Sequence, residues 1–222
     1  MAEESVALFP MHMVVFPGMV LPLRIEEEPQ RRMIEDCESR KKPFGAALIR
    51  AIRGHGEPVP HAIGTLAEIA RVERTEEGVL RVFAVGQSRY RLIAVEQHAP
   101  YLTGRIELLA SVRSSAKGME SLMSEAWRLF ERHMELLFAA ASRKAPELQM
   151  PHDPELLSFL MAANARLFPD KKQQLLEADS VRGRLEALRD MLKVENDTLK
   201  AILATAGPAF PPQEESPSPE DE

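Results

Sequence analysis

The chain changes its hydrophobic period once. From Ser5 to about Leu109 the apolar residues form short runs and alternations, the spacing of strands; after Ser111 they recur every three or four positions, the spacing of helices. In the first stretch, Phe44 to Ile52 (FGAALIRAI) is a compact apolar run leading into the charged, glycine-containing loop RGHGEPVPH. IGTLAEIARVER and VLRVFAV follow, joined by TEEG, whose final glycine between two apolar runs predicts a hairpin. Further on, Tyr90, Leu92 and Ala94 share one strand face, with Arg89 and Arg91 on the other. Leu102, Ile106 and Leu108 likewise oppose Thr103, Arg105 and Glu107. Leu66, Ile69 and Val72 are three apart, which no single strand face can hold, so a bulge is expected there. One helix interrupts this half, about Pro29 to Ser39, with Met33, Ile34 and Cys37 on one side.

Beyond Ser111, Met119, Leu122, Met123, Ala126, Phe130, Met134, Leu137, Phe138 and Ala141 form one wide stripe of a long helix, flanked by Trp127. Its methionine-rich face is read as core. Asp153 opens a second helix as its cap, with Pro154 at the first helical position, Glu155 in the first turn, and Leu156, Leu157 and Leu160 as apolar positions. A short helix is expected at about Asp170 to Glu177. A last one runs from near Ser180 to about Ala206, with Leu185, Leu188, Leu192, Leu199 and Leu203 inward, and Gly207-Pro208 stops it. The organisation is α+β: a β-rich part over 1–112, about four helices over 113–206, and a tail over 207–222.

One string resists the simple strand pattern. LFPMHMVVFPGMVLPLRI, Leu8 to Ile25, is apolar and strand-like yet contains Pro10, Pro17 and Pro22, each lacking the N–H that a sheet ladder needs.

Composition narrows the function. The chain has 222 residues and a net charge of -6, but its last sixteen residues hold five acids and no base, so the rest carries only -1. That Pro-, Ser- and Glu-rich tail buries too little to fold and is read as disordered. A nearly neutral folded part is a poor candidate for binding nucleic acid through phosphates. Cys37 is the only cysteine, which excludes an intramolecular disulfide and fits a reducing compartment. The start, MAEES, is acidic, unlike a secretory signal, and the longest apolar run, Met13 to Leu23, is about half a bilayer span. The expected setting is cytoplasmic, with no membrane contact.

Catalytic signatures are missing. No glycine is followed by lysine, so there is no Gly-Lys-Ser/Thr phosphate loop, and no G-x-S-x-G elbow occurs. His12, His55, His61, His98, His133 and His152 form no H-E-x-x-H and none pairs with cysteine at ligand spacing. His55, Glu57 and His61 share a loop, where solvated side chains are the plain reading; His133 does not share a helix face with Glu131 and Glu135. Cys37, on an apolar helix side, is read as a small core residue. No cofactor or metal is expected.

The ordered series LFPMHMVVFPGMVLPLRI, RRMIEDC, FGAALIR, IGTLAEI, EEGVLRVFAVGQSRYRL and PYLTGRIELL resembles the LON N-terminal domain, the substrate-recognition end of the ATP-dependent Lon proteases. DPELLSFLMAANARL, KQQLLEADS and RLEALRDMLKVE are similar to the helical part that follows in that family. The resemblance runs from about Val6 to Leu203, and the family includes free-standing members. It implies a PUA-like twisted sheet closing partly into a barrel, followed by helices. Pro10 and Pro17 would then bracket the turn out of the first strand, with Pro22 at an edge or kink of the second. Gly86 and Arg89 match a family Gly-x-x-Arg, whose plain reading is a turn glycine and an arginine bonding nearby carbonyls. The family's aromatic segment before the first helix is replaced here by Glu26-Glu27-Glu28-Pro29-Gln30, so any contact made there in relatives differs.

The function implied is a non-catalytic module that binds unfolded or extended polypeptides, as an adaptor or regulator, with a separate Lon protease as a candidate partner. The ATPase and Ser–Lys protease modules have no counterpart in the sequence. Binding is expected in a groove between sheet and helices, lined by adaptable methionine. Phe16, Met19 and Leu21 are the candidate exposed residues, with Met11 and His12 beside them; core packing is the other reading for each. An RNA-binding module is the alternative, because PUA-like folds often bind RNA, but near-neutral charge and only two Tyr and one Trp weigh against it.

Overall fold

The computed structural model describes residues 4–53, 57–75, 78–97, 100–112 and 115–206. The tail at 207–222, the loop around His55, His98 and the tip of the TEEG turn lie outside the described residues. In chain order the elements are β1 (Glu4–Met11), β2 (Val20–Ile25), α1 (Glu28–Arg40), β3 (Phe44–Arg53), β4 (Glu57–Pro60), β5 (Ile63–Arg74), β6 (Leu80–Gln97), β7 (Thr103–Leu109), α2 (Met119–Ala140), α3 (Pro154–Asn164), α4 (Pro169–Glu177) and α5 (Val181–Ala206). This is the expected α+β order, strands first and helices after. No helix among the described residues is long and apolar enough to cross a membrane.

The strands close on themselves. The order β1-β7-β6-β5-β3 returns to β1 because β1 also pairs β3. β1 does this by changing partner midway: Glu4–Ala7 run antiparallel to β7, whereas Leu8–Met11 run parallel to β3. β2 lies antiparallel on the first half of β6, and β4 extends β3. The expected bulge is present in β5, where pairing with β6 slips between Ile69 and Arg71 and β5 carries the extra residue; a second slip, between Thr65 and Ala67, puts the extra residue in β6. The β5 bulge lets Ile69 and Val72, three apart, pack against the same core, whereas Leu66 packs in another.

The prolines fit this topology. The Leu8 N–H donates to the Leu102 carbonyl at 2.8 Å. Alternate backbone groups face the same neighbour, so the Pro10 nitrogen points the same way, past the start of β7, where no acceptor is needed. Pro17 begins the turn into β2, completed by Gly18 at φ 81. Pro22 sits in β2, which pairs on one side only.

Two main cores meet at the string Val14-Val15-Phe16. Val15 packs with Phe9, Met11, Leu21, Ile25 and the inner side of α1, where Met33, Ile34 and Cys37 are buried as expected. Val14 and Phe16 point the other way, into a core built from α2, α3, α4 and α5. The alternation of one short extended segment therefore joins barrel and helices. Phe16 is completely buried, its ring 6.3 Å from that of Phe159.

The helices differ from the expected faces in two places. On α2 the buried line continues through His133 and Leu136, leaving Met134, Leu137 and Phe138 half-buried. His133 is tolerated inside because both ring nitrogens are satisfied: Nδ1 lies 2.9 Å from Asn196 Oδ1 and Nε2 accepts the Arg166 N–H at 3.1 Å. Asn196 on α5 completes the set by donating to the Leu129 carbonyl. On α3, Asp153 caps the helix by accepting the Leu156 N–H at 2.7 Å. Leu157 and Phe159 are buried, but Leu156 stays 50% exposed instead of pointing inward.

Phe16→Ala is expected to lower stability by about 3–5 kcal/mol through lost transfer energy and a residual cavity, read from the urea midpoint. His133 supplies a pH dependence. Burial holds its pKa below 6.5, with Asn196 and Glu195 opposing that shift. As pH falls below 6.5 the unfolded chain takes up a proton that the folded chain refuses, so stability falls with acidification. His133→Gln should flatten the change in urea midpoint between about pH 7 and about pH 5.5.

Candidate functional site

The segment after β1 is pinned flat onto β6. The Gly18 N–H donates to the Gly86 carbonyl at 2.8 Å, and the Gly86 N–H donates to Met19 at 2.9 Å. Thr65 Oγ1 donates to the Val15 carbonyl at 2.6 Å. A Cβ at Gly86 would stand 2.3 Å from the Phe16 carbonyl oxygen, so only glycine lets the segment lie this close. Gly86 is thus inside β6, where it serves as a close-approach residue, and is not the turn glycine expected from sequence.

This pinning decides where the five candidate surface residues go. Phe16, Leu21 and Met11 are buried, at 0%, 1% and 8% exposure, and their expected exposure does not hold. The reason is the double core: Phe16 is drawn into the helices, while Leu21 and Met11 fill the barrel. His12 is exposed and Met19 half-buried.

A trough nevertheless runs where sheet meets helices. At one end, a hollow of about 320 Å³ is lined by Met19, Val20, Leu156, Phe159, Leu160 and Ala163. It shares Pro17, Gly18, Leu156 and Phe159 with a central hollow of about 450 Å³, where Gln87, Ser88, Leu109, Ser111, Asp153 and Glu155 converge. That in turn shares Ser111, Asp153 and Glu155 with a third hollow of about 450 Å³, lined by Val112, Met119, Met123 and Val181. Val20, Leu156 and Val112 are the large exposed apolar side chains along it. Of the five sequence candidates, the trough includes only Met19. Val20, Leu156 and Val112 were missed because each continues an apolar pattern that reads as core.

Beneath the trough lies a buried polar clamp. The last carbonyls of a helix have no partner within it and carry the negative end of its dipole. At the end of α4 two arginines supply the partners. Arg89, from β6, donates Nη1–H to the Leu176 and Ala178 carbonyls, both at 2.8 Å, and Nη2–H to Ser111 Oγ at 3.2 Å. Arg184, from α5, donates to the Leu175 carbonyl at 3.0 Å, to Ser158 Oγ at 3.0 Å and to the Ala178 carbonyl at 3.2 Å. Its guanidinium also lies 4.0 Å over the Phe159 ring. The Ser111 hydroxyl donates to Glu155. Burial pulls the pKa of Arg184 down to about 10, with Arg89 adding to the fall and Glu155 resisting it; burial lowers Arg89 too, again resisted by Glu155. Both remain cationic near neutrality. The expected bonding of Arg89 to nearby carbonyls is present, but the partners are in a helix 87 and 89 residues away. Arg89 does lie on the outer barrel face, as its alternation requires, and the helices cover it to 3% exposure.

Among the described residues, Cys37 is buried on the inner side of α1. Burial, with Asp36 adding, pushes the Cys37 thiol up to about 11, so it stays protonated. Among the described residues no group of three or more His, Cys, Asp or Glu side chains is placed to hold a metal ion.

The family model for the ATP-dependent protease La (LON) substrate-binding domain matches residues 5–194. The Lon proteases of Dictyoglomus thermophilum and Escherichia coli K12 are each 27% identical over 190 residues, taking in 84% of this chain and 24% of the relative. The chain thus spans about a quarter of the length of the curated relatives it matches. A Lon N-terminal domain protein from Xanthomonas campestris superposes with TM-score 0.60 at 25% identity, over 83% of this chain and 96% of that one. The N-terminal domain of the Mycobacterium avium complex Lon protease gives TM-score 0.64 over 86% and 98%; at 21% identity it speaks to the fold alone.

Arg89→Met should leave the Leu176 and Ala178 carbonyls buried without that donor and cost about 2–4 kcal/mol. Arg89→Lys is expected to rescue little, since one ammonium on a flexible stem does not reproduce a planar fork serving three acceptors. Limited proteolysis should find α4 cleaved first in both variants.

Proposed function

Because the chain belongs to the LON substrate-binding domain family, we propose that it is a non-catalytic polypeptide-binding module whose contact surface is the trough between the Pro17–Val20 segment and α3. The observation that carries this is the line of exposed apolar side chains, Val20, Leu156 and Val112, along a concave seam. Exposed apolar side chains in a hollow are favourable to cover, and an extended chain offers alternating side chains to cover them. Met19 at one end, with Met119 and Met123 at the other, gives a lining that adapts to different clients.

Strand addition is the less suitable route. Among the described strands β2 and β4 each pair on one side only, and Pro22 in the one and Pro58 and Pro60 in the other lack an N–H donor. Clients are therefore held mainly by side chains in the trough. The working organisation is a barrel part at 1–112 and a helical part at 113–206, with the tail at 207–222 outside both. The client class is unfolded or extended polypeptide, and a separate Lon protease is the candidate partner to which this module acts as adaptor or regulator. The lack of a nucleophile–base pair in the sequence, together with the protonated Cys37, supports a role without chemistry on the client.

A fluorescently labelled, permanently unfolded model protein titrated with this chain tests the proposal. Val20→Ser combined with Leu156→Ser should weaken binding roughly tenfold, as expected for losing two apolar contacts. The melting temperature should hold, because both side chains are already at the surface. Unchanged affinity in the double variant would remove the trough as the contact surface, and no binding by the unmodified chain would overturn the proposal.

A further inference from the structure

The trough is not uniformly apolar. One end is, but the central and third hollows set carboxylates among their apolar side chains, and this combination suggests what passes through it. We infer that the segments it selects are extended ones in which a lysine or arginine stands between apolar residues. The inference rests on the reading of the trough as a polypeptide site and specifies the chemistry of its client.

The layout follows from α3, which forms one wall. From Asp153 to Asn164 the helix rises about 16 Å, enough for roughly five residues of extended chain alongside. Leu156 and Leu160 line the apolar end. Asp153 and Glu155 lie where the central hollow opens into the third, and Glu120 stands beyond them. Val112, Met119 and Met123 line the same third hollow as Glu120. A client laid along this path meets apolar surface and then carboxylates set among apolar side chains.

The charges do not cancel within the protein. Glu155 is opposed by Arg89 and Arg184 beneath it and is counted as neutralised. Asp153 and Glu120 are exposed and have no ion-pair partner among the described residues. Arg89 is the sole lysine or arginine among the lining residues, and it is buried and committed to the end of α4. The N-terminal dipole of α3, to which Asp153 is bonded through the Leu156 N–H, adds a positive contribution of about half a charge, less than the charge of the two carboxylates. A client cation is therefore attracted, an acidic residue repelled, and apolar flanks are held on either side.

Short fluorescent peptides identical except for a central lysine, glutamine or glutamate between apolar flanks provide the test, read by anisotropy. The unmodified chain should bind the lysine peptide about fivefold more tightly than the glutamine peptide, with the glutamate peptide weakest. The gap should narrow as salt rises. In Asp153→Asn combined with Glu120→Gln the gap should vanish; the asparagine retains an oxygen to cap the Leu156 N–H, so α3 is preserved. Equal binding of the lysine and glutamine peptides by the unmodified chain, or a gap that survives in the double variant, overturns the inference. If all peptides bind alike, the polypeptide-binding reading stands without it; if none binds, that reading falls as well.

Discussion

The arrangement of barrel and helices depends on how the end of α4 is satisfied. A helix that stops inside a protein leaves carbonyl oxygens that water cannot reach, and such groups are costly without donors. Here the donors come from two sides. Arg89 reaches out from the barrel and Arg184 across from α5, and both bond the Ala178 carbonyl. Two like charges in one buried place would repel, yet the carbonyls, the Phe159 ring and Glu155 share the compensation. The result is a directional link between parts that hydrophobic packing alone would leave free to slide, and it fixes the position of α3 above it through Ser158 and Glu155.

That fixed position shapes the seam. The segment Val14-Val15-Phe16 uses its apolar side chains to join two cores, so little of it is left for a partner. The proposed contact surface passes instead to the residues next in line, Met19 and Val20, and to the face of α3 opposite them. The barrel supplies a rigid floor, the helices a wall, and the exposed apolar groups lie between. A recognition surface built this way needs no loop to order on binding, which lowers the entropic cost of capture.

Much of the architecture was legible because it is written in periods. The switch from alternation to helical spacing, the cap at Asp153 and the inward side of α1 all follow from local pattern, and the structure agrees with them. The bulge in β5 between Ile69 and Arg71 was readable from three-residue spacing that no regular strand allows. What pattern could not supply was which of two apolar surfaces wins a residue. Phe16 and Leu21 look equally able to face a client or a core; only the meeting of barrel and helices, distant in sequence, decides. Leu156 shows the reverse, an apolar residue at helical spacing that finds no neighbour to bury it. His133 was missed because its partners, Asn196 and Arg166, lie 63 and 33 residues away. Arg89 was placed on the correct face, but nothing local announced that a helix end would cover it.

The divided pairing of β1 has a bearing on how the chain must be made. Its first half finds its partner near Thr103 and its second half near Gly45, so the barrel cannot shut until synthesis has passed Ile106. Until then β1, already made, has an open flank. Such remote pairing slows closure and lengthens the time in which sticky backbone is uncovered. The strand must therefore wait for nearly a hundred further residues before it is sealed.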